Sequence, residues 1–140
     1  MKSKIVSRLV PGVALLCLIA AGPCTKDFAG PISQSEWGGE HIGLTVAASG
    51  GALEYDCASG TIDQPIVAAT NGEFIAQGTH TRGHGGPSRE GEIPDLHPAR
   101  YSGWTDGKEM RLTVTLTDTG EKLGDFTLVR GQSPRVFRCL

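Results

Sequence analysis

Three histidines, His80, His84 and His97, gather in and beside one glycine-rich stretch, residues 82–98, that also carries Glu90, Glu92 and Asp95. Imidazole and carboxylate are the ligand set of zinc and copper sites. These three histidines are therefore the candidate metal ligands. Their spacing matches no metal-binding motif, because His80 and His84 do not sit on a helical pattern and His97 is remote. Glu90 with Glu92 or Asp95 would make a general acid–base pair. Nothing in the surrounding sequence desolvates either carboxylate, and desolvation is what marks such pairs. The plainer reading of 82–98 is a solvated, glycine-loosened connection, long enough to serve as a recognition loop. There is no G-x-S-x-G nucleophile elbow, no P-loop and no dinucleotide fingerprint. No catalytic residue and no cofactor is expected.

A second group of side chains is aromatic and apolar. Leu53, Tyr55, Phe74, Leu112, Leu116, Phe126 and Phe137 fall on the apolar side of alternating segments. In a closed sheet they point inward, and Tyr55, Phe74, Phe126 and His80 are then the candidate ligand contacts. An eight-stranded barrel is just wide enough to fill itself with side chains or to hold one small ligand. With few aromatics and medium-sized aliphatics, a filled interior is the first expectation.

Four cysteines remain to be placed. Cys17 lies in an N-terminal segment expected to be removed, which leaves Cys24, Cys57 and Cys139, an odd number. Cys57 and Cys139 lie inside the folded region and are expected to pair. Closing about 80 residues of chain stabilises a fold by roughly 4–5 kcal/mol in the chain-entropy account. Cys24 is the candidate lipidation site on a weak lipobox, since Ala21 and Pro23 stand where Leu and a small residue are wanted.

The elements that must position these groups are strands. Met110, Leu112, Val114 and Leu116 alternate with Arg111, Thr113, Thr115 and Thr117, and the same period of two marks Leu53-Tyr55-Cys57 and Phe126-Leu128. That is the pattern of a half-buried strand. Turn signals punctuate the chain at Ser49-Gly50-Gly51, Ala58-Ser59-Gly60, Asn71-Gly72, Asp106-Gly107, Thr119-Gly120 and Gly131-Gln132-Ser133-Pro134. Eight strands are predicted, at 36–47, 52–58, 61–69, 73–81, 99–105, 108–117, 122–130 and 134–139. Glycine interrupts nearly every window of helical length. The expected fold is all-β, a small antiparallel up-and-down barrel, with a β-sandwich as the alternative. In a plain meander of these eight strands Cys57 and Cys139 stand about 9–10 Å apart, too far for a disulfide, which wants Cα atoms within about 7 Å. The chain must bend aside near Gly38-Gly39, or the strand order must differ, or the pairing must be given up.

The ends bound the compartment. Lys2, Lys4 and Arg8 precede an apolar run from Leu9 to Gly22, which reads as a secretory signal peptide over 1–22. The run is shorter than the ~20 residues of a membrane span. Residues 23–35 read as a flexible leader and 36–140 as the barrel domain. Removing 1–22 takes three of the thirteen basic residues and no acid, leaving ten against fifteen acidic and a net charge of about −5. That balance excludes a nucleic-acid partner and argues against docking on anionic lipid. The expected location is exported, periplasmic or extracellular, with a lipid anchor through Cys24 as the variant.

The strings Trp37-Gly38-Gly39-Glu40-His41-Ile42, Tyr55-Asp56-Cys57-Ala58-Ser59-Gly60-Thr61-Ile62 and Phe126-Thr127-Leu128-Val129-Arg130-Gly131 resemble a group of small exported bacterial proteins of unassigned function. The resemblance implies a bacterial envelope location and carries no site residues. In architecture the chain also resembles the calycins, lipocalins and avidins. Those place a Trp early in strand one under a basic residue from the last strand, parts that Trp37 and Arg135 or Arg138 would play. Ser35 departs from that pattern, which has Gly two residues before the Trp. The resemblance implies a small-molecule binder. Three functions follow as expectations: a non-catalytic barrel with a small ligand, a protein-interaction or inhibitor module using 82–98, and a metal-binding protein built on His80, His84 and His97.

Overall fold

The computed structural model describes residues 28–140, so the expected signal peptide over 1–22, Cys24 and the first residues of the expected leader lie outside the described residues. The chain forms ten strands and no helix among the described residues. Eight of them close an antiparallel up-and-down barrel: β2 (Ser35–Gly39), β3 (Ile42–Ala47), β4 (Gly50–Tyr55), β5 (Ala58–Ile62), β7 (Glu73–Arg82), β8 (Asp95–Thr105), β9 (Glu109–Leu116) and β10 (Lys122–Arg130). Each strand pairs with the next around the ring, and β10 returns to β2 through Leu128↔Gly39 and Arg130↔Trp37. Closure leaves no open sheet edge to template aggregation. The remaining two, β1 (Gly30–Pro31) and β6 (Val67–Ala68), make a small separate ribbon.

Alternation places one face of every strand inside. Met110, Leu112, Val114 and Leu116 of β9 are all fully buried, and Trp37, Ile42, Leu44, Leu53, Phe74, Tyr101 and Leu128 join them in one cluster. The interior is thus filled by side chains. At about 2–3 kcal/mol for each fully buried large apolar residue, this cluster is the main stabilising term.

The barrel has two unlike ends. One is sealed. Residues 28–34, expected to belong to a flexible leader, lie across it. The Ile32 amide donates to the Ile66 carbonyl at 2.9 Å, and both isoleucine side chains are buried. Arg130 Nη2 donates to Ser33 Oγ at 2.7 Å. The apolar Phe28 and Ile32 explain the difference: they join the core cluster that holds Trp37 and Ile66 rather than staying in water. The other end is a mouth ringed by the turns at 40–41, 56–57 and 117–121 and by the connection 83–94, shorter than the expected 82–98 because Arg82 ends β7 and residues 95–98 open β8.

Four strand expectations are corrected: besides the three that follow, 61–69 is not one strand, since β5 ends at Ile62 and Val67–Ala68 is the separate β6. Segment 36–47 is two strands with a turn at Glu40-His41, and 52–58 ends at Tyr55 with a turn at Asp56-Cys57. Both turns put their second residue in the left-handed region, His41 at φ 66° and Cys57 at φ 57°. The third concerns residues 134–139, which are no barrel strand. After Gly131 the chain crosses the outer surface of β2 and β3, where glycines clear its path. A Cβ at Gly38 would meet the Gln132 carbonyl oxygen at 2.2 Å, and one at Gly43 would meet the Pro134 ring at 2.9 Å. The tail then follows the mouth. The His41 amide donates to the Arg135 carbonyl, the Phe137 amide to Asp56 Oδ1, and the Cys57 amide to the Phe137 carbonyl. Phe137, expected inside, is therefore outside, two-thirds exposed and 5.8 Å from the His41 ring.

This path brings Cys139 to Cys57. The two form a disulfide with a Cα–Cα distance of 5.0 Å. The separation expected for barrel strands does not apply, because one cysteine sits in a hairpin turn and the other on a tail outside the wall. The basic residue in register with Trp37 on the last strand is Arg130, while Arg135 pairs with Glu40 and Arg138 is exposed. The part expected of Arg135 or Arg138 opposite Trp37 is taken by neither.

Candidate functional site

The candidate site is the mouth. β7 and β8 pair over ten positions, which sets His80 opposite His97, Ala76 opposite Tyr101 and Phe74 opposite Gly103. Pairing of β5 with β7 brings Ala58 opposite Arg82. Tyr55 is the last residue of β4 and points inward beside Ala58. Phe126 of β10 comes from the far side of the ring. The result is a cavity of about 330 Å³ lined by His41, Tyr55, Asp56, His80, Arg82, Leu123 and Phe126, with the backbone around Cys57 at its margin. Three of the four expected ligand contacts, Tyr55, His80 and Phe126, meet here. Phe74 does not. It lies six residues from His80 along β7, about 20 Å at strand rise, and is buried in the core toward the sealed end.

The rings are set at angles to one another. Tyr55 and His80 are 5.1 Å apart edge to face, and Tyr55 and Phe126 are 5.8 Å apart and tilted. Tyr101, fully buried in the core, donates its hydroxyl to the Thr79 carbonyl at 2.6 Å. Burial pushes the Tyr101 phenol up to about 12. Burial also pushes the Tyr55 phenol far above its ordinary value, with Tyr101 adding to the effect. Both remain protonated at neutral pH. Burial, then the charge of Arg82, holds the His80 imidazole below its usual value, so that it is neutral.

His80 Nδ1 is buried without a hydrogen-bond partner, and the Tyr55 hydroxyl, also buried, has the Tyr101 hydroxyl as its polar neighbour. An unmade bond of this kind costs roughly 1–3 kcal/mol. Native proteins keep few such atoms. Both atoms are shut away from solvent, on side chains whose rings line the pocket. The charged lining groups, in contrast, are all partnered. Arg82 pairs with Glu121, and Asp56 with His41. The Phe137 amide first, then His41, holds the Asp56 carboxyl below the ordinary range.

The expected metal site does not assemble. His84 Nε2 pairs with Glu92 Oε1 at 2.7 Å inside the 83–94 connection. His97 is clasped on both nitrogens, Nδ1 by Asp118 at 2.7 Å and Nε2 by Asp95 at 2.9 Å. An imidazole held between two carboxylates favours the doubly protonated ring, which has no lone pair left for a cation. Among the described residues no group of three or more His, Cys, Asp or Glu side chains is arranged to hold a metal ion. Glu92 and Asp95 are taken up by these histidines, and both stand in solvent.

The His97 clasp ties the start of β8 to the turn after β9 and gives the rim a pH signature. Asp118 first, then Asp95, raises the His97 imidazole above its usual value, and His97 lowers Asp118. A raised imidazole stabilises fully below its unfolded value of about 6.5, and this contribution is lost as pH rises through the higher folded value. The lowered Asp118 contributes above about 3.9, and its share is lost as pH falls through its folded value. His80 has the opposite sign from His97. Its contribution is complete above about 6.5 and is lost as pH falls through its depressed value. NMR titration of the ring protons is expected to place the His97 midpoint above 6.5 and the His80 midpoint below it. Asp118→Asn should bring His97 down and leave His80 nearly unmoved; a reversed order of the two midpoints contradicts this geometry.

His41, Asp56, Ala58, Arg82 and Leu123 were not among the sequence candidates. Rim membership depends on which turns share an end of the barrel, and the local pattern carries no such signal. Comparison with family models, with curated proteins and with solved structures finds no match to this chain.

Proposed function

We propose that the protein is an exported, non-catalytic barrel that binds a small ligand at its mouth. The observation that carries the reading is the cavity of about 330 Å³ walled by the rings of Tyr55, His80 and Phe126. Its size falls at the small end of ligand sites, which run from about 300 to 1,000 Å³. The disulfide supports an oxidising compartment, periplasmic or extracellular. Among the described residues no helix is long and apolar enough to cross a membrane. An anchor through Cys24 belongs to the same proposal. The group of exported bacterial proteins and the calycins that the sequence resembles are consistent with it, although fold analogy alone does not license function.

The test is a fragment screen followed by amide and aromatic shift mapping. Hits are expected to cluster on Tyr55, His80 and Phe126. They should vanish in Ala58→Trp, which places an indole in the mouth. Hits scattered over the outer wall, or hits indifferent to Ala58→Trp, count against the pocket. A protein-interaction or inhibitor module is the second reading. The specific observation behind it is Ile93, almost fully exposed in the 83–94 connection, with Leu96 exposed beside it. An ordered complex that is lost with Ile93→Asp and kept with Ala58→Trp favours that module.

A further inference from the structure

We infer that the outer wall of the barrel binds a neutral saccharide, by stacking of a pyranose ring on the indole of Trp104. This site is independent of the mouth. Trp104 lies seven residues from His97 along β8, about 23 Å at strand rise, and faces outward. Glu73 on β7 and Arg111 on β9 flank it in register. Ile75, Ser102 and Thr113 complete an open depression of about 430 Å³. The first argument is that the indole is held in place. Its Nε1–H donates to the Asn71 carbonyl at 2.9 Å. A Cβ at Gly72 would meet Nε1 at 2.6 Å and Cδ1 at 3.0 Å, so that edge of the ring lies against bare backbone. The Asn71 side chain in turn donates to Glu73 Oε2 at 2.8 Å. Trp104 stands outside the core cluster, 36% exposed, yet fixed by the neighbouring turn. Much of the ordering that binding requires is thus met before a ligand arrives. With Nε1 engaged, the indole offers ring carbon to the depression.

The second argument is the chemistry around that ring. The C–H bonds on one face of a pyranose are slightly positive and suit the negative face of an aromatic system. The hydroxyls at its edge both donate and accept. Arg111 is well exposed, and its Nε stands 3.6 Å from Glu109 Oε1, longer than a hydrogen bond. Its guanidinium donors are open to a hydroxyl. Thr113 Oγ1 donates to Asp125 Oδ1 at 2.6 Å and keeps its lone pairs as acceptors. The third argument is what the wall does not suit. A peptide cannot add as a further strand, because β7, β8 and β9 are each paired on both sides. A second copy or another folded protein needs about 1,200 Å² of buried surface. The exposed apolar part here is Ile75 and Trp104, with the charged Arg100 and Asp125 next along the sheet. A polyanion meets Glu73 as well as Arg111 and gains no surplus of positive charge.

Three soluble probes test this: cellohexaose, maltohexaose and chitohexaose, each titrated at millimolar concentration against the folded protein. The chain has two tryptophans, and Trp37 is fully buried, so the two indole N–H resonances serve as site and internal control. At least one probe is expected to move the Trp104 indole and the Ser102 and Thr113 amides while Trp37 stays still. Trp104→Ala removes a ring outside the core, so the barrel should remain intact. It is expected to lose at least roughly tenfold in affinity for that probe. Arg111→Ala, a change at an exposed charge, should lose roughly threefold. Silence of the Trp104 indole with all three probes overturns the inference, and so does affinity that survives Trp104→Ala. Shifts confined to Tyr55, His80 and Phe126 place the sugar in the mouth and overturn it too. Self-association that Trp104→Ala abolishes, with no response to any sugar, gives the face to a second copy instead. None of these failures touches the mouth reading, whose hits fall on other residues.

Discussion

Replacing Cys57 by Ser is expected to lower the thermal unfolding midpoint by roughly 10–15 °C, the shift that about 3 kcal/mol produces in a domain of this size. The bridge spans a sequence separation of 82. The chain-entropy account gives a closure of that length more than about 4 kcal/mol. The smaller figure is expected because the tail lies outside the wall. Once cut, residues 132–140 are free to leave β2 and β3 while the barrel stays shut through β10 and β2. The folded state then regains some of the freedom that the unfolded chain regains. Scanning calorimetry with and without reductant checks this. Reductant should shift the parent protein as far as the substitution does and should leave Cys57→Ser unmoved. A midpoint indifferent to both would show that the bridge adds nothing.

The second large effect is expected at Gly78. There β7 passes β5 so closely that a Cβ would lie 1.8 Å from the Thr61 carbonyl oxygen and 2.7 Å from its carbon. The obstacle is backbone, and it is fixed from both sides. β5 is bonded to β4, and β7 to β8. Alanine at this position must therefore push these bonded ladders away from each other. Overpacking usually costs about 1–3 kcal/mol. With no side chain able to yield, Gly78→Ala is expected at about 3 kcal/mol or more, a large share of the roughly 5–15 kcal/mol that holds a typical domain together. Urea unfolding should show the midpoint fall with little change in slope. The exposed neighbour Gln77→Ala should stay within about 0.5 kcal/mol. If Gly78→Ala unfolds at the parental midpoint, β5 and β7 are not in this register.

The all-β barrel was legible because one wet and one dry face write themselves into the chain at period two. Met110, Leu112, Val114 and Leu116 are the plainest case, and all four are buried. The turns were less so. Glu40-His41 and Asp56-Cys57 reverse the chain with His and Cys in the left-handed region, where glycine or asparagine is the usual marker. Nothing in 36–47 therefore marks a break, and Ala58-Ser59-Gly60 has the composition of a turn although it opens β5. The tail misled for a related reason. Val136 and Phe137 look like strand residues, but their path is set by Gly38 and Gly43 far upstream. Within the site, period two tells which side a residue faces and not how deep it sits. Tyr55, His80, Phe126 and Phe74 share the inner side, and only cross-strand register separates Phe74 from the rest. The disulfide was legible from cysteine count and compartment, while its geometric route was not.

The sealed end carries a consequence for orientation. The described chain enters at Phe28, whose ring packs by the turn at Gly107, on the pole opposite His80 and the 83–94 connection. Any tether attached upstream of Phe28 thus holds the molecule by its base. A domain so moored projects its open cup away from the mooring surface, toward whatever solutes diffuse past.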